Sequence, residues 1–253
     1  MFGTYFYNKN IRNVVILFGT VFNDIIVRRV TSAGATQEEF RVPIAYGPSE
    51  KFLVRLREAT DISKGKVGLT LPRMSFDFIS IVYDTARKLQ TTKRYKKIKS
   101  GDNTKLTTIY NPVPYNFDFT LSVMVKNSDD GTQILEQILP YFTPEYQVTM
   151  NEMSTMGIKR DIPIIFTGLS TEDSYEGDFL TRRALIHTLT FVVQGFMYGP
   201  TSDVGIIREV DVNEYDGLSA TAGKLSNLDV KPDPLTADPD DDYGYTTTQT
   251  DNY

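Results

Sequence analysis

Apolar and polar positions alternate most cleanly between Phe117 and Val125. Phe117, Phe119, Leu121, Val123 and Val125 interleave there with Asp118, Thr120, Ser122 and Met124. A period of two gives a strand one apolar and one mostly polar face. Asn127, Ser128 and Asp129 follow, with side-chain oxygens suited to the free N–H groups of a helix start. Ile134, Leu135, Ile138, Leu139 and Phe142 then recur at three- and four-residue spacing, the stripe of an amphipathic helix. Pro140 disfavours helical dihedrals at Leu139 and so ends or kinks that helix. The run from Tyr110 to Phe142 therefore predicts a strand feeding a helix that packs back on its sheet.

The same rules apply along the rest of the chain. Ile11, Val14, Val15, Phe18, Val21 and Phe22 mark an N-terminal helix, with Asn8 or Asn10 as its cap and Gly19 weakening its last turn. Ile25–Val30 and Phe40–Tyr46 predict two strands around a turn at 32–35, with Pro43 confining the second to an edge or a bulge. Ser49 caps a helix with the face Phe52, Leu53, Leu56 and Ala59, and residues 61–70 form a Gly- and Lys-rich connection. After Pro72, the apolar face Met74, Phe76, Phe78 changes phase at Ile79, as a β-bulge or a strand buried on both faces would require. Strands are also predicted at 104–110, 146–150, 162–169 and 184–196, the last apolar enough to be central. A short strand is predicted at Ile206–Ile207, a loop at 151–157 and an acidic turn at 170–178.

Charge divides the chain. From Glu209 onward there are eleven acids against Lys224 and Lys231, a net −9, which leaves the body at +4 of the overall −5. Apolar residues also thin out after Asn213, and Asp240, Asp241 and Asp242 form an acidic run. This composition predicts one domain over 1–212 followed by a disordered acidic tail over 213–253. The body's positive charge concentrates between Arg87 and Lys99, in Arg87, Lys88, Lys93, Arg94, Lys96, Lys97 and Lys99. Such a segment is either an exposed extension whose lysines discourage edge pairing or a basic arm for phosphate or an acidic protein surface. Tyr95 alone does not make a base-stacking platform.

Candidate chemistry is sparse. The chain has no cysteine, which rules out disulfides, thiol catalysis and cysteine-based zinc sites and suits a reducing compartment. His187 is the only histidine and sits in a strand pattern, where a structural role is the ordinary one. No nucleophile elbow, dinucleotide fingerprint or phosphate-binding loop occurs; after Gly65-Lys66 comes Val67, which cannot ligate Mg²⁺. Asp173, Glu176 and Asp178 surround Gly177 without the spacing of a calcium loop. Glu38-Glu39 and Asp129-Asp130 read as a solvated strand end and a helix cap. Arg182 and Arg183 suit an ion pair, either to a neighbouring subunit or within the chain. The N-terminal decapeptide lacks the pattern of a signal peptide, and no apolar run approaches the ~20 residues of a membrane span. The balance predicts an assembly protein with no catalytic site, no cofactor and no metal. A nucleic-acid-binding module using 87–99 is the alternative, and an unrecognised carboxylate hydrolase a more distant one.

Several stretches resemble one family in the same order. They are MFGTYFYN at 1–8, FRVPIAYGPSEKF at 40–52, LPRM at 71–74, the YNPVP and ILEQILPYF of the 110–142 run, KRDI at 159–162, EGDFLTRR at 176–183 and LTFVVQGFMYGP at 189–200. Together they resemble the tail sheath stabilisers, the proximal tail-completion proteins of contractile-tailed bacteriophages of the T-even type. The resemblance implies an α/β (α+β) fold like that of phage tail terminators: a mixed, mostly antiparallel sheet flanked by a few helices, with long hairpin or loop extensions. It implies a homohexameric ring at the head-proximal end of the virion tail, made in the host cytoplasm and free of any membrane. Its partners would be further copies of itself, the tail terminator, the sheath and the neck. DNA would pass through the channel without sequence-specific binding. The basic segment 87–99 and the region after Asn213 lie outside the quoted motifs.

Overall fold

Burial follows the period of two. Phe117, Phe119, Leu121, Val123 and Val125 are each at most 1% exposed in the computed structural model, which describes residues 5–30, 36–57, 70–99, 102–174, 184–207, 209–217, 223–237 and 241–251. The elements run α1 (Asn10–Val21), β1 (Ile26–Val30), β2 (Thr36–Arg41), β3 (Ile44–Tyr46), α2 (Ser49–Arg57), β4 (Arg73–Tyr83), β5 (Arg94–Lys99) and β6 (Asp102–Tyr110). They continue with β7 (Val113–Val125), α3 (Ser128–Ile138), a 3-10 turn (Leu139–Tyr141), β8 (Glu145–Met153), β9 (Ile158–Ser174) and β10 (Ala184–Met197). The last are β11 (Ser202–Gly205), β12 (Val210–Tyr215), β13 (Lys224–Asp233) and β14 (Gly244–Asp251). The chain is α+β with sheets that are antiparallel except at one pair. It folds as two units, one from 1–89 and 112–198, the other from 90–111 and 199–253.

The first unit is built on a six-stranded sheet of order β3-β4-β7-β10-β9-β8, in which only β3 and β4 run parallel. β10 is central as predicted, with Leu189, Phe191 and Val193 opposite Leu121, Phe119 and Phe117. β4 carries its register shift between Phe78 and Ser80, the bulge that the phase change at Ile79 predicts. On one sheet face α1 lays Phe18 against Phe119, with ring centroids 4.5 Å apart, and also touches Phe76 and Phe191. Gly19 is what allows this approach: a Cβ there would stand 2.6 Å from the Phe76 ring. On the other face α2 covers Met124 and Ile186 with Phe52.

α3 packs Ile134 and Ile138 into the main core and turns its polar side to β1. Gln137 accepts from the Ile26 N–H (3.2 Å) and donates to the Ile26 carbonyl (2.7 Å), while Gln133 accepts from the Arg28 N–H (3.1 Å). Two glutamines thus supply the hydrogen bonds that a hairpin edge otherwise leaves open. Asp130, buried on the same helix, pairs with Arg29 at 2.8 Å.

Several elements differ from the sequence expectation. Phe40–Tyr46 is not one strand: Pro43 breaks it into β2, paired with β1, and β3, which joins the large sheet, and the Pro43 carbonyl accepts from Met74 N–H (2.9 Å). Neither Asn8 nor Asn10 caps α1. The cap position is Lys9, in the left-handed region (φ 58°). Asn8 instead donates to the Tyr198 carbonyl (3.0 Å), and the buried Asn10 amide, with its oxygen and nitrogen exchanged to match their neighbours, donates to the Asn8 carbonyl and accepts from the Tyr198 N–H. Asn127 makes no side-chain cap to α3. β8 runs on to Met153 and β9 to Ser174, so part of the expected loop and acidic turn are strand, because antiparallel pairing with β9 and β10 outweighs their polarity. The short strand near 206 lies earlier, as β11. Of the predicted connection 61–70, only Thr70 falls among the described residues.

The second unit holds two three-stranded antiparallel sheets, β11-β6-β5 and β12-β13-β14. The second of these replaces the disordered tail expected beyond Asn213. Low apolar content predicts disorder, but Thr246, Thr247, Thr248 and Thr250 are β-branched and favour pleated backbone, and each strand satisfies its neighbour's ladder. By its contacts the region beyond Asn213 groups with 90–111 and 199–212.

Candidate assembly surfaces

The basic segment does not act as one patch. Arg87 and Lys88 belong to the first unit and Lys93–Lys99 to the second. Arg87 follows the β4 exit, where the backbone turns on Asp84. Its guanidinium donates to Asp84 (2.7 Å), Asn116 (2.8 Å) and the Tyr115 carbonyl (3.2 Å) and lies over the Phe196 ring. The hydrogen bond from Arg87 holds the Asp84 carboxyl below its ordinary range. Arg87 is thus a clasp within the fold, whereas Lys88 is exposed.

In the second unit, β5 and β6 form the hairpin that the lysine-rich reading allowed, with Arg94 opposite Tyr110 and Lys97 opposite Thr107. Arg94 stacks on and hydrogen-bonds Tyr110, and Lys93 lies over Tyr95. Lys99 pairs with Asp203 of β11 at 2.5 Å. That bond, made first by the side-chain hydrogen bond and then by charge, raises Lys99 and lowers Asp203. Asp102 is held at about 2, chiefly by the Thr104 hydroxyl and then by Lys105. Lys96 and Lys97 stay exposed at the outer edge of the sheet, on β5, which among the described residues pairs on one side only. Of the seven basic residues, Arg87 and Lys99 are committed to internal carboxylates, which leaves a weaker anion-binding surface than the sequence count implies.

The acidic residues are similarly divided. Asp241 and Asp242 are exposed before β14, whereas Arg182, Arg183 and Asp240 lie outside the described residues, as do Glu176 and Asp178 of the calcium-like cluster. Glu209 and Asp229 converge on Lys231 at 2.9 and 2.6 Å. Asp229 leads the upward shift of Lys231, followed by Glu209. Glu38 and Glu39, read as a solvated strand end, pair across the hairpin with Arg29 and Arg28.

Two buried polar groups stand in the first unit. Glu152 at the end of β8 accepts from the Tyr198 hydroxyl (2.6 Å) and faces Arg160 (3.3 Å), and its Oε1 has no hydrogen-bond partner among the described residues. Burial pushes its carboxyl above the ordinary range despite both neighbours. Nothing in the sequence flagged Glu152, since Glu152, Arg160 and Tyr198 meet only through the β8–β9 register and the β10 exit. His187 bonds Thr171 through Nδ1 (2.9 Å), its Nε2 packs where a Cβ on Gly131 would stand, and burial lowers its pKa. Both groups are buried.

Among the described residues no three His, Asp or Glu side chains converge to hold a metal, and no helix is long and apolar enough to cross a membrane. An open groove of about 560 Å³ lies between the end of α1 and the turn after α3, with Phe22, Tyr141, Phe142 and Tyr146 among its lining residues. What the molecule presents is contact surface: edge strands, an aromatic groove and an exposed N-terminal segment. The sequence profile of the T4-like virus Myoviridae tail sheath stabiliser matches residues 5–252. The chain is also 34% identical over 252 residues to the tail completion protein gp15 of Enterobacteria phage T4, covering 95% of this chain and 90% of that one. The profile match takes in both the basic hairpin and the acidic C-terminal region, which the sequence motifs left out.

Proposed function

The chain belongs to the tail sheath stabiliser family of T4-like phages, and from that premise we propose that it closes into a ring, hexameric as the family resemblance implies, at the head-proximal end of the tail. Its role as a tail sheath stabiliser and tail-completion protein is structural, and its place is the virion tail. The ring holds the uppermost sheath subunits in the extended state and joins the tail terminator to the neck. The work is mechanical and needs no catalytic group. DNA crosses the ring without base readout.

The observation that carries this reading is the match over 5–252. The surface described above supports it. Polar ladders with one unpaired edge (β5 and β14), exposed apolar side chains such as Ile79 and Val82 on β4, and separated acidic and basic strands are what a subunit with several protein neighbours presents.

The test uses contractile tails assembled without this protein. Adding the purified chain should keep their sheaths extended, scored by electron microscopy as the fraction of full-length sheaths. The same fraction with and without added protein would refute the stabilising role.

A further inference from the structure

The N-terminal segment and the aromatic groove of the first unit are alike in chemistry, and they do not meet within the molecule. Tyr5, Phe6 and Tyr7 are 90, 50 and 59% exposed, an unusual display of three consecutive aromatic residues. The groove is open on one side, is lined by Val21, Phe22, Pro140, Tyr141, Phe142 and Tyr146, and offers about 560 Å³, the size of a small-ligand pocket. Phe22 and Phe142 stack at its base with centroids 6.2 Å apart, and Tyr141 stands 66% exposed at its mouth. Of the two acids on its rim, Asp24 already pairs with Arg41 at 2.5 Å and Glu136 is exposed, and the aromatic segment is followed by the exposed Lys9.

Reach decides between an intramolecular and an intermolecular fit. Asn8 ties the segment to the Tyr198 carbonyl beside the start of α1. The groove begins at Val21, where the 12-residue α1 ends. A helix of that length spans about 18 Å at ~1.5 Å per residue. The three residues from Asn8 back to Tyr5 extend at most about 11 Å. The backbone of Tyr5–Tyr7 therefore stops short of its own groove, and Tyr5 stands 90% exposed instead.

We propose that Tyr5–Tyr7 of one copy dock in the groove of a neighbouring copy, with Lys9 meeting Glu136. The contact is head-to-tail, since arm and groove are different surfaces, and repeats from copy to copy until the assembly closes. Aromatic rings suit this role because they bury large area with few rotatable bonds. The inference rests on the reading of the chain as a self-assembling ring subunit, and it names the contact that joins the copies.

The chain has no cysteine, so paired cysteines report the contact without background. Phe6→Cys protein is mixed with Tyr141→Cys protein under mild oxidation, with Phe6→Cys plus Val204→Cys as the exposed control, and native mass is recorded on the same samples. The expected result is a disulfide-linked pair from the first mixture, formed at least about tenfold faster than in the control. Equal rates in the two mixtures, with an oligomer still present, would overturn the docking contact alone. A monomer at every concentration would overturn both the contact and the ring. An intrachain link in the Phe6→Cys/Tyr141→Cys double variant at high dilution would make the occupant the chain's own arm and also overturn the proposal. Replacing Tyr5, Phe6 and Tyr7 together with serine should leave thermal unfolding unchanged while weakening self-association by about 30-fold or more; unchanged association would count against the contact.

Discussion

Replacing Arg29 with methionine should destabilise the first unit by about 2–3 kcal/mol, because it strands the Asp130 carboxylate inside the fold. Asp130 is 2% exposed, and Arg29 meets it at 2.8 Å. Coulomb attraction at that distance has a ceiling of roughly 6 kcal/mol at an effective dielectric of about 20. The Arg29 side chain is 36% exposed, so water screens part of it. Breaking a fully buried pair costs about 3–5 kcal/mol, and an exposed pair contributes about 0–1 kcal/mol. A pair with one buried and one half-open partner falls between these values. Methionine keeps much of the aliphatic stem but loses the guanidinium's place over the Phe40 ring and its pair with Glu38, so the Asp130 share is read from the double-variant cycle. The assay is urea unfolding of Arg29→Met, Asp130→Asn and the double variant. The double variant should be more stable than the sum of the single losses implies, with a coupling of about 1–2 kcal/mol. A loss under about 0.5 kcal/mol for Arg29→Met, or an additive cycle, would refute the claim that this pair fastens the β1–β2 hairpin to α3.

Three further outcomes follow from the geometry. Leu121→Asp buries an unpaired charge between Phe76 and Leu189 and should cost several kcal/mol, read as loss of soluble, cooperatively unfolding protein. Glu152 has its carboxyl raised by burial, so the native state holds that proton to higher pH than the unfolded chain. Its contribution falls as pH rises from the ordinary glutamate value of 4.5 through the raised folded value, and Glu152→Gln should flatten the slope of stability against pH in that window. Asp84, Asp102 and Asp203 have lowered values and act in the opposite sense, losing stability only as pH falls below about 3.8, so the two windows separate in a pH series of thermal melts. Deleting 226–253 removes most of β13 and all of β14 but no strand of the six-stranded sheet, and calorimetry should show the first unit's unfolding transition intact.

The parts of the fold legible in the sequence are those whose periodicity is set by burial on one side. The alternation of β7, the stripe of α3, the stop at Pro140 and the slip at Ile79 each follow from a local rule that the sheet then enforces. Pro43 was legible as an interruption, but its effect, sending β2 and β3 to different sheets, depends on where β4 lies. The C-terminal strands were illegible because a three-stranded ladder rich in threonine is stabilised by pairing more than by an apolar face, and apolar content misses that. The candidate site was less legible than the fold. Arg87 and Lys99 look identical to Lys96 and Lys97 in a charge count, and only the positions of Asp84 and Asp203 distinguish structural from surface cations. Glu152 and Tyr198 meet across 46 residues, and no spacing signals it.

An image of the assembled phage tail carrying a mass label on this chain tests the central claim most directly. The account predicts labels arranged as one closed ring at the head-proximal end of an extended sheath. Labels distributed along the sheath, gathered at the opposite end, or absent from the finished tail would contradict it.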